Sequence, residues 1–93
     1  MKPLPNLRHL RYLVALHDQL SFSRAAAACF VTQSTLSAGI RELENALGIA
    51  VAERSRHSVV ITPAGRSLVG RARLLLQDAE SLMAMALEEG KPM

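Results

Sequence analysis

The sequence predicts a mainly α-helical domain: three helices, a small β-hairpin and one long final helix. Three observations carry this. Apolar residues recur at helical spacing between residues 7 and 47, separated by turn-forming breaks. Residues 49–62 switch to β-branched side chains around a polar, basic centre. After Thr62 an apolar seam runs in alternating steps of 4 and 3 for almost three heptads.

The first helix is expected from Asn6, a capping residue, to about Asp18. Leu7, Leu10, Leu13, Val14 and Leu16 form its apolar stripe, with Arg8, Arg11 and Asp18 on the other side. The polar stretch Leu20-Ser21-Phe22-Ser23 reads as a turn in which Ser21 or Ser23 caps a short helix, about Arg24 to Cys29. Its run Ala25–Ala28 is strongly helix-forming and slim, so another helix can approach closely. Phe30-Val31-Thr32 breaks the pattern. A third helix is expected from Gln33 or Ser34 to Leu47, with Leu36, Ile40, Leu43 and Leu47 on one face and Gly48 as its stop. Val51 and Val59–Ile61 mark two short strands around a basic tip, residues 54–58. Thr62-Pro63 then opens the last helix with a cap and a proline suited to the first turn; it is expected to run to about Glu88.

That helix is long for so small a domain. Leu68, Ala72, Leu75, Ala79, Leu82 and Ala86 form its seam, flanked by Val69, Leu76 and Met83. A stripe this wide needs more cover than one small domain provides, and a symmetric homodimer is the expected cover, with packing back onto the chain's own three helices as the alternative. The division expected is a first unit, 1–62, followed by a dimerisation helix and tail, 63–93.

Composition narrows the function classes. The chain has 93 residues, enough for one small domain. The single cysteine excludes an internal disulfide and a cysteine zinc cluster. No 18-residue apolar run spans a membrane, and Arg8, His9 and Arg11 interrupt any signal-peptide core, so a cytoplasmic location is expected. With 3% aromatic residues and no Trp, a stacking platform for single strands is not expected. Charge is uneven: residues 1–73 hold ten basic and four acidic groups, net +6, whereas residues 74–93 carry net −3. The basic part is almost all Arg, which suits forked contacts to phosphates and base edges.

Two helices joined by a tight turn and followed by a basic hairpin are the parts of a winged helix-turn-helix. The second helix of such a pair enters the major groove with its N-terminal residues at the base edges. Here those residues are Thr32, Gln33, Ser34 and Thr35, then Ser37 and Ala38. Gln can pair with adenine, and Ser and Thr reach bases or phosphate, although Thr32 and Ser34 are equally good caps.

At this point the sequence resembles a family. Ser21-Phe22-Ser23-Arg24-Ala25-Ala26, then Val31 through Ser37, Ile40-Arg41-Glu42-Leu43-Glu44, Leu47-Gly48, Glu53-Arg54-Ser55 and Ile61-Thr62-Pro63-Ala64-Gly65 look like the N-terminal domain of LysR-type transcriptional regulators. Tyr12–Leu16 and Cys29–Ser37 look most like its peroxide-responsive, OxyR-like branch. The resemblance implies sequence-specific binding of double-stranded DNA at interrupted palindromes with an outer T and A. It also implies dimers through the linker helix, and tetramers in the full-length protein. It places Gln33, Ser34 and Ser37 in the major groove, with Thr32, Thr35 and Arg41 on phosphates or flanking bases. Ser21 or Ser23 and Arg24 hold the backbone; Arg54 and Arg56 approach it, or a narrow minor groove, from the wing. Such regulators carry a larger effector-binding domain, so this chain is expected to bind DNA without answering to an inducer.

Departures from the pattern matter too. Ser34 stands where Pro is usual, Ala52 where Phe is common, and Ala38 and Gly39 where the family often has Arg and Gln. Direct readout is expected to be sparse, with two long donors gone from the recognition helix and DNA shape carrying more. Cys29 reads as a buried small hydrophobe, and His57 as a solvated loop residue, with a proton-dependent phosphate contact beside Arg54 and Arg56 as the alternative. His9, His17 and His57 lack the spacing of a metal site, and no catalytic constellation or cofactor is expected. Two readings compete with DNA binding. In one, the loss at Ala38 and Gly39 leaves a dimerisation module that sequesters a full-length regulator. In the other, Cys29 is a thiol redox switch.

Overall fold

A computed structural model describes residues 3–55 and 58–92. The order is α1 (Leu7–Gln19), α2 (Phe22–Ala28), α3 (Gln33–Leu47), β1 (Ala52–Arg54), β2 (Val59–Ile61) and α4 (Pro63–Glu89). The strands pair antiparallel, with Ala52 opposite Ile61 and Arg54 opposite Val59. This is a winged helix-turn-helix followed by a long helix.

Each boundary has a local cause. Asn6, Ser21, Thr32 and Thr62 all have extended backbones, and their side chains accept a hydrogen bond from a first-turn N–H. Ser21 is therefore the cap of α2, which starts at Phe22 rather than at Arg24 as expected. Left-handed Leu20 and Gly48 stop α1 and α3. Phe30, in the helix-turn-helix turn, is also left-handed, with φ 58°, and is 95% exposed. Val31 N–H closes that turn onto the Ala26 carbonyl.

The core lies between the three short helices and the first half of α4. Leu13, Leu16, Leu36, Leu43 and Val51 are fully enclosed, and Leu10, Ile40, Ile61 and Val69 complete it. Tyr12, absent from the expected stripe, is buried, whereas Leu7 is half exposed. Gly39 explains the burial of Tyr12. A Cβ built there would lie 2.5 Å from Tyr12 Cδ2, so the Tyr12 ring occupies the space a side chain would take. The expectation that Gly39 removes a donor from the recognition surface is thus corrected: Gly39 is buried and faces α1. Only Ala38 is exposed.

The seam on α4 also needs correction at its start. Ala72 is 2% exposed and so is not an open face, whereas Leu68 is half-buried and packs in part against the chain's own core. These residues, with Val69, lie beyond residue 62 yet belong to the core. Ala79 is half-buried, whereas Leu75, Leu82 and Ala86 are exposed. At the end of α1, Asp18 accepts a hydrogen bond from Arg73 of α4 and pairs with His17. The His17 bond, opposed by burial and helped by Arg73, holds the Asp18 carboxyl below its ordinary value.

Helix propensity favours Ala over Gly by about 1 kcal/mol, but forcing a methyl into a packed core costs about 1–3 kcal/mol. Gly39→Ala is therefore expected to lower stability rather than raise it. Urea unfolding of the two proteins checks the sign.

Candidate nucleic-acid interface

The N-terminus of α3 is exposed from Thr32 to Thr35, because its buried face begins only at Leu36. Thr32 uses its hydroxyl locally. It accepts from Thr35 N–H at 3.1 Å and donates to Thr35 Oγ1 at 2.8 Å. Thr35 therefore keeps its own hydroxyl proton for an outside acceptor. Gln33 and Ser34 are exposed, Ser37 is half-buried one turn on, and Arg41 is exposed beyond it. At the start of α2, Ser21 caps Arg24 N–H at 3.2 Å and bonds Ser23 Oγ at 3.1 Å.

The wing is fastened to α3 at its base. Glu44 Oε2 accepts from Val51 N–H at 2.8 Å, and Ala52 N–H lies 3.5 Å from the same oxygen. Thr62 N–H donates to the Val51 carbonyl at 3.0 Å, and Thr62 Oγ1 donates to the Ala50 carbonyl at 2.8 Å. Gly65 lies directly under that junction: a Cβ there would be 2.1 Å from the Val51 oxygen. At the far end, Ser55 N–H donates to the Ser58 carbonyl at 2.9 Å, and their hydroxyls lie 2.6 Å apart. Arg56 and His57, expected at the tip, fall outside the described residues.

These elements enclose two polar clefts. The larger, about 390 Å³, is lined by Ser21, Ser23, Gln33, Arg54, Ser55 and Ser58 among others. The smaller, about 180 Å³, includes Ser37, Arg41, Glu44 and Arg54. Arg54 borders both, its guanidinium carbon 3.8 Å from the centre of the Phe22 ring. Ser21, Ser23, Gln33, Ser37, Arg41 and Arg54 thus line a continuous polar surface, with Ser34 and Thr35 beside Gln33 on α3. Among the described residues, no group of three His, Cys, Asp or Glu is arranged to hold a metal ion.

A profile of bacterial regulatory helix-turn-helix proteins, lysR family, matches residues 7–66. The chain belongs to the LysR family. It is 52% identical to the HTH-type transcriptional regulator EstR of Acinetobacter baylyi, over all of this chain and 31% of EstR. It is 46% identical to the transcriptional dual regulator OxyR of Escherichia coli, over 95% of this chain and 29% of OxyR. Among solved structures, the BenM DNA-binding domain in complex with catB site 1 DNA superposes with a TM-score of 0.86 at 35% identity, covering 95% of this chain and 99% of that one. The chain thus spans about a third of the length of its curated relatives.

Within this LysR-family domain, three contributors escape a reading of the sequence. Phe22 supports Arg54, Glu44 ties α3 to the wing, and Ser55 closes the wing onto Ser58. No spacing rule links Phe22 to Arg54. Glu44 carried a faint signal, as an acid next to Leu43 and four residues after Ile40, on the edge of the apolar stripe. Cys29 is half-buried, and burial pushes its thiol above the ordinary value, only partly offset by Arg11. That favours an inert packing residue over a reactive thiolate.

Hydrogen bonds to a charged acceptor contribute about 1.5–3 kcal/mol, and Val51 N–H is buried. Glu44→Ala is expected to destabilise the domain by about that amount. Glu44→Gln, whose amide oxygen can still accept, should lose less. Thermal unfolding of both variants tests the pair.

Proposed function

We propose that this chain binds double-stranded DNA sequence-specifically, as the DNA-binding part of a LysR-type regulator, at an interrupted palindrome with an outer T and A. The observation that carries the reading is the shared cleft of Gln33 and Arg54, which joins the exposed N-terminus of α3 to the wing. In this reading Gln33, Ser34 and Ser37 meet base edges in the major groove. Thr35, through its unused proton, Thr32 and Arg41 meet phosphates or flanking bases. Ser21, Ser23 and Arg24 hold the backbone from α2, and Arg54 approaches from the wing. The sequence places Arg56 in the same stretch, outside the described residues. That the similar BenM domain is solved in complex with DNA supports double-stranded DNA as the ligand.

The reading includes a homodimer through α4. Leu75, Leu82, Met83 and Leu87 are exposed on a helix whose first half is already used by the core. An apolar face of this kind favours a partner helix. The partner-facing seam is then Leu68 in part, with Leu75, Ala79, Leu82 and Ala86. A dimer also supplies the two recognition helices that the two half-sites of a palindrome require. The reading implies a cytoplasmic, non-enzymatic role. Among the described residues no helix is long and apolar enough to cross a membrane.

Fluorescence anisotropy with a labelled interrupted palindrome and a scrambled duplex tests DNA binding. Tighter binding to the palindrome is expected, with the log–log salt slope falling by about 0.9 per phosphate contact. Equal affinity for both duplexes overturns specificity, and no binding at low salt overturns the reading. For the dimer, sedimentation equilibrium should show a two-chain species that Leu82→Glu shifts towards monomer. A wild-type monomer at high concentration removes that part.

A further inference from the structure

Arg54 is held in an unusual way for a surface arginine. It ends β1 and borders both polar clefts, yet among the described residues no ion pair joins it to a carboxylate. Glu44, which shares the smaller cleft, directs Oε2 to the backbone of the wing instead. What Arg54 does have is the Phe22 ring, 3.8 Å from its guanidinium carbon. Phe22 is the first residue of α2 and is half-buried, packed against the core. The ring is therefore anchored on one side and offered to Arg54 on the other.

A carboxylate and an aromatic ring hold a guanidinium by different means. A carboxylate takes up its N–H donors and neutralises its charge. A ring attracts the cation through its face, and leaves both charge and donors available. A side chain with several rotatable bonds is thereby restrained before any ligand arrives. Restraint of this kind reduces the ordering cost of binding.

We propose that Phe22 is a positioning residue for DNA binding, holding Arg54 between wing and recognition helix with its charge and donors free for a DNA phosphate. The proposal rests on the DNA-binding reading above and adds to it a residue that acts through Arg54, from the clefts that both side chains line.

A double-mutant cycle on the palindrome duplex tests it. Phe22→Leu keeps an apolar side chain against the core but removes the π face. It is expected to weaken affinity about three- to tenfold, the range for releasing one restrained side chain. Phe22→Tyr keeps the face and should stay within about twofold of wild type. The salt slope should be unchanged in Phe22→Leu, where Arg54 still reaches its phosphate, and smaller by about 0.9 in Arg54→Ala. In the Arg54→Ala background, Phe22→Leu should cost nothing further. A general weakening of the fold would instead cost the same in both backgrounds, and that result overturns the proposal. So does a Tyr variant as weak as the Leu variant. In the free protein, the Arg54 side-chain proton resonances should lie upfield through the ring current and lose that shift in Phe22→Leu. Their absence overturns the stack without reference to DNA. A wild-type protein that binds neither duplex overturns the DNA-binding reading and this proposal with it. Binding with an additive cycle overturns this proposal alone.

Discussion

The backbone of Val51 is where three parts of the molecule are tied together. Its N–H goes to a carboxylate oxygen of α3, and its carbonyl accepts from Thr62 at the start of α4. The residue is completely buried, so neither group has water as an alternative, and both partners are obligatory. Gly65 allows this, since a side chain there would collide with the same carbonyl. The wing leaves from Val51 and returns at Thr62, so its base is fixed on both sides. A two-stranded ribbon this short is not stable alone. Its direction relative to the recognition helix is inherited from this junction, and so is the place where Arg54 emerges.

A second constraint sets the recognition helix itself. Gly39 lets α3 approach α1 until the Tyr12 ring fills the vacant side-chain position. The glycine that weakens the helix locally therefore improves its fit to the core. The consequence for function is rotational. With Leu36, Gly39, Ile40 and Leu43 turned inward, the opposite face is exposed, and Gln33, Ser34 and Ala38 lie outside the core. The exposed side chains on the first half of α3 are mostly short and polar, and the long cations beside them are Arg41 and Arg54 of the wing.

Periodicity and capping chemistry made the elements legible. Asn6, Thr32, Gly48, Thr62 and Pro63 each act at the boundary their side-chain chemistry suggests. The exposure of Gln33, Ser34 and Thr35 was legible for the same reason, since they precede Leu36, the first inward position. What the sequence hid was pairwise and distant. Gly39 looked like a missing donor because its partner, Tyr12, belongs to another helix. Ala72 looked like a dimer contact because a heptad pattern does not say whether the surface it covers belongs to the same chain. Phe22 looked like part of a turn, since nothing local places an arginine of the wing above it.

The long helix shows how one pattern can serve two purposes in succession. Its first half is consumed by the core through Val69 and Ala72, and the same spacing then continues into solvent at Leu75, Leu82 and Met83. Folding of the first unit therefore fixes the direction in which the open half leaves. A partner seated on that half would be held at a set distance from the recognition helix by a rigid element, not by a loop. Half-site spacing is then a property of the core as much as of the seam. By contrast, the side chains that meet DNA in the proposed docking lie almost entirely outside the core, which holds no buried polar side chain among the described residues. Ser34 and Ala38 can accordingly change without touching the fold, whereas a change at Gly39, Val51 or Gly65 would shift the elements that carry the exposed surface.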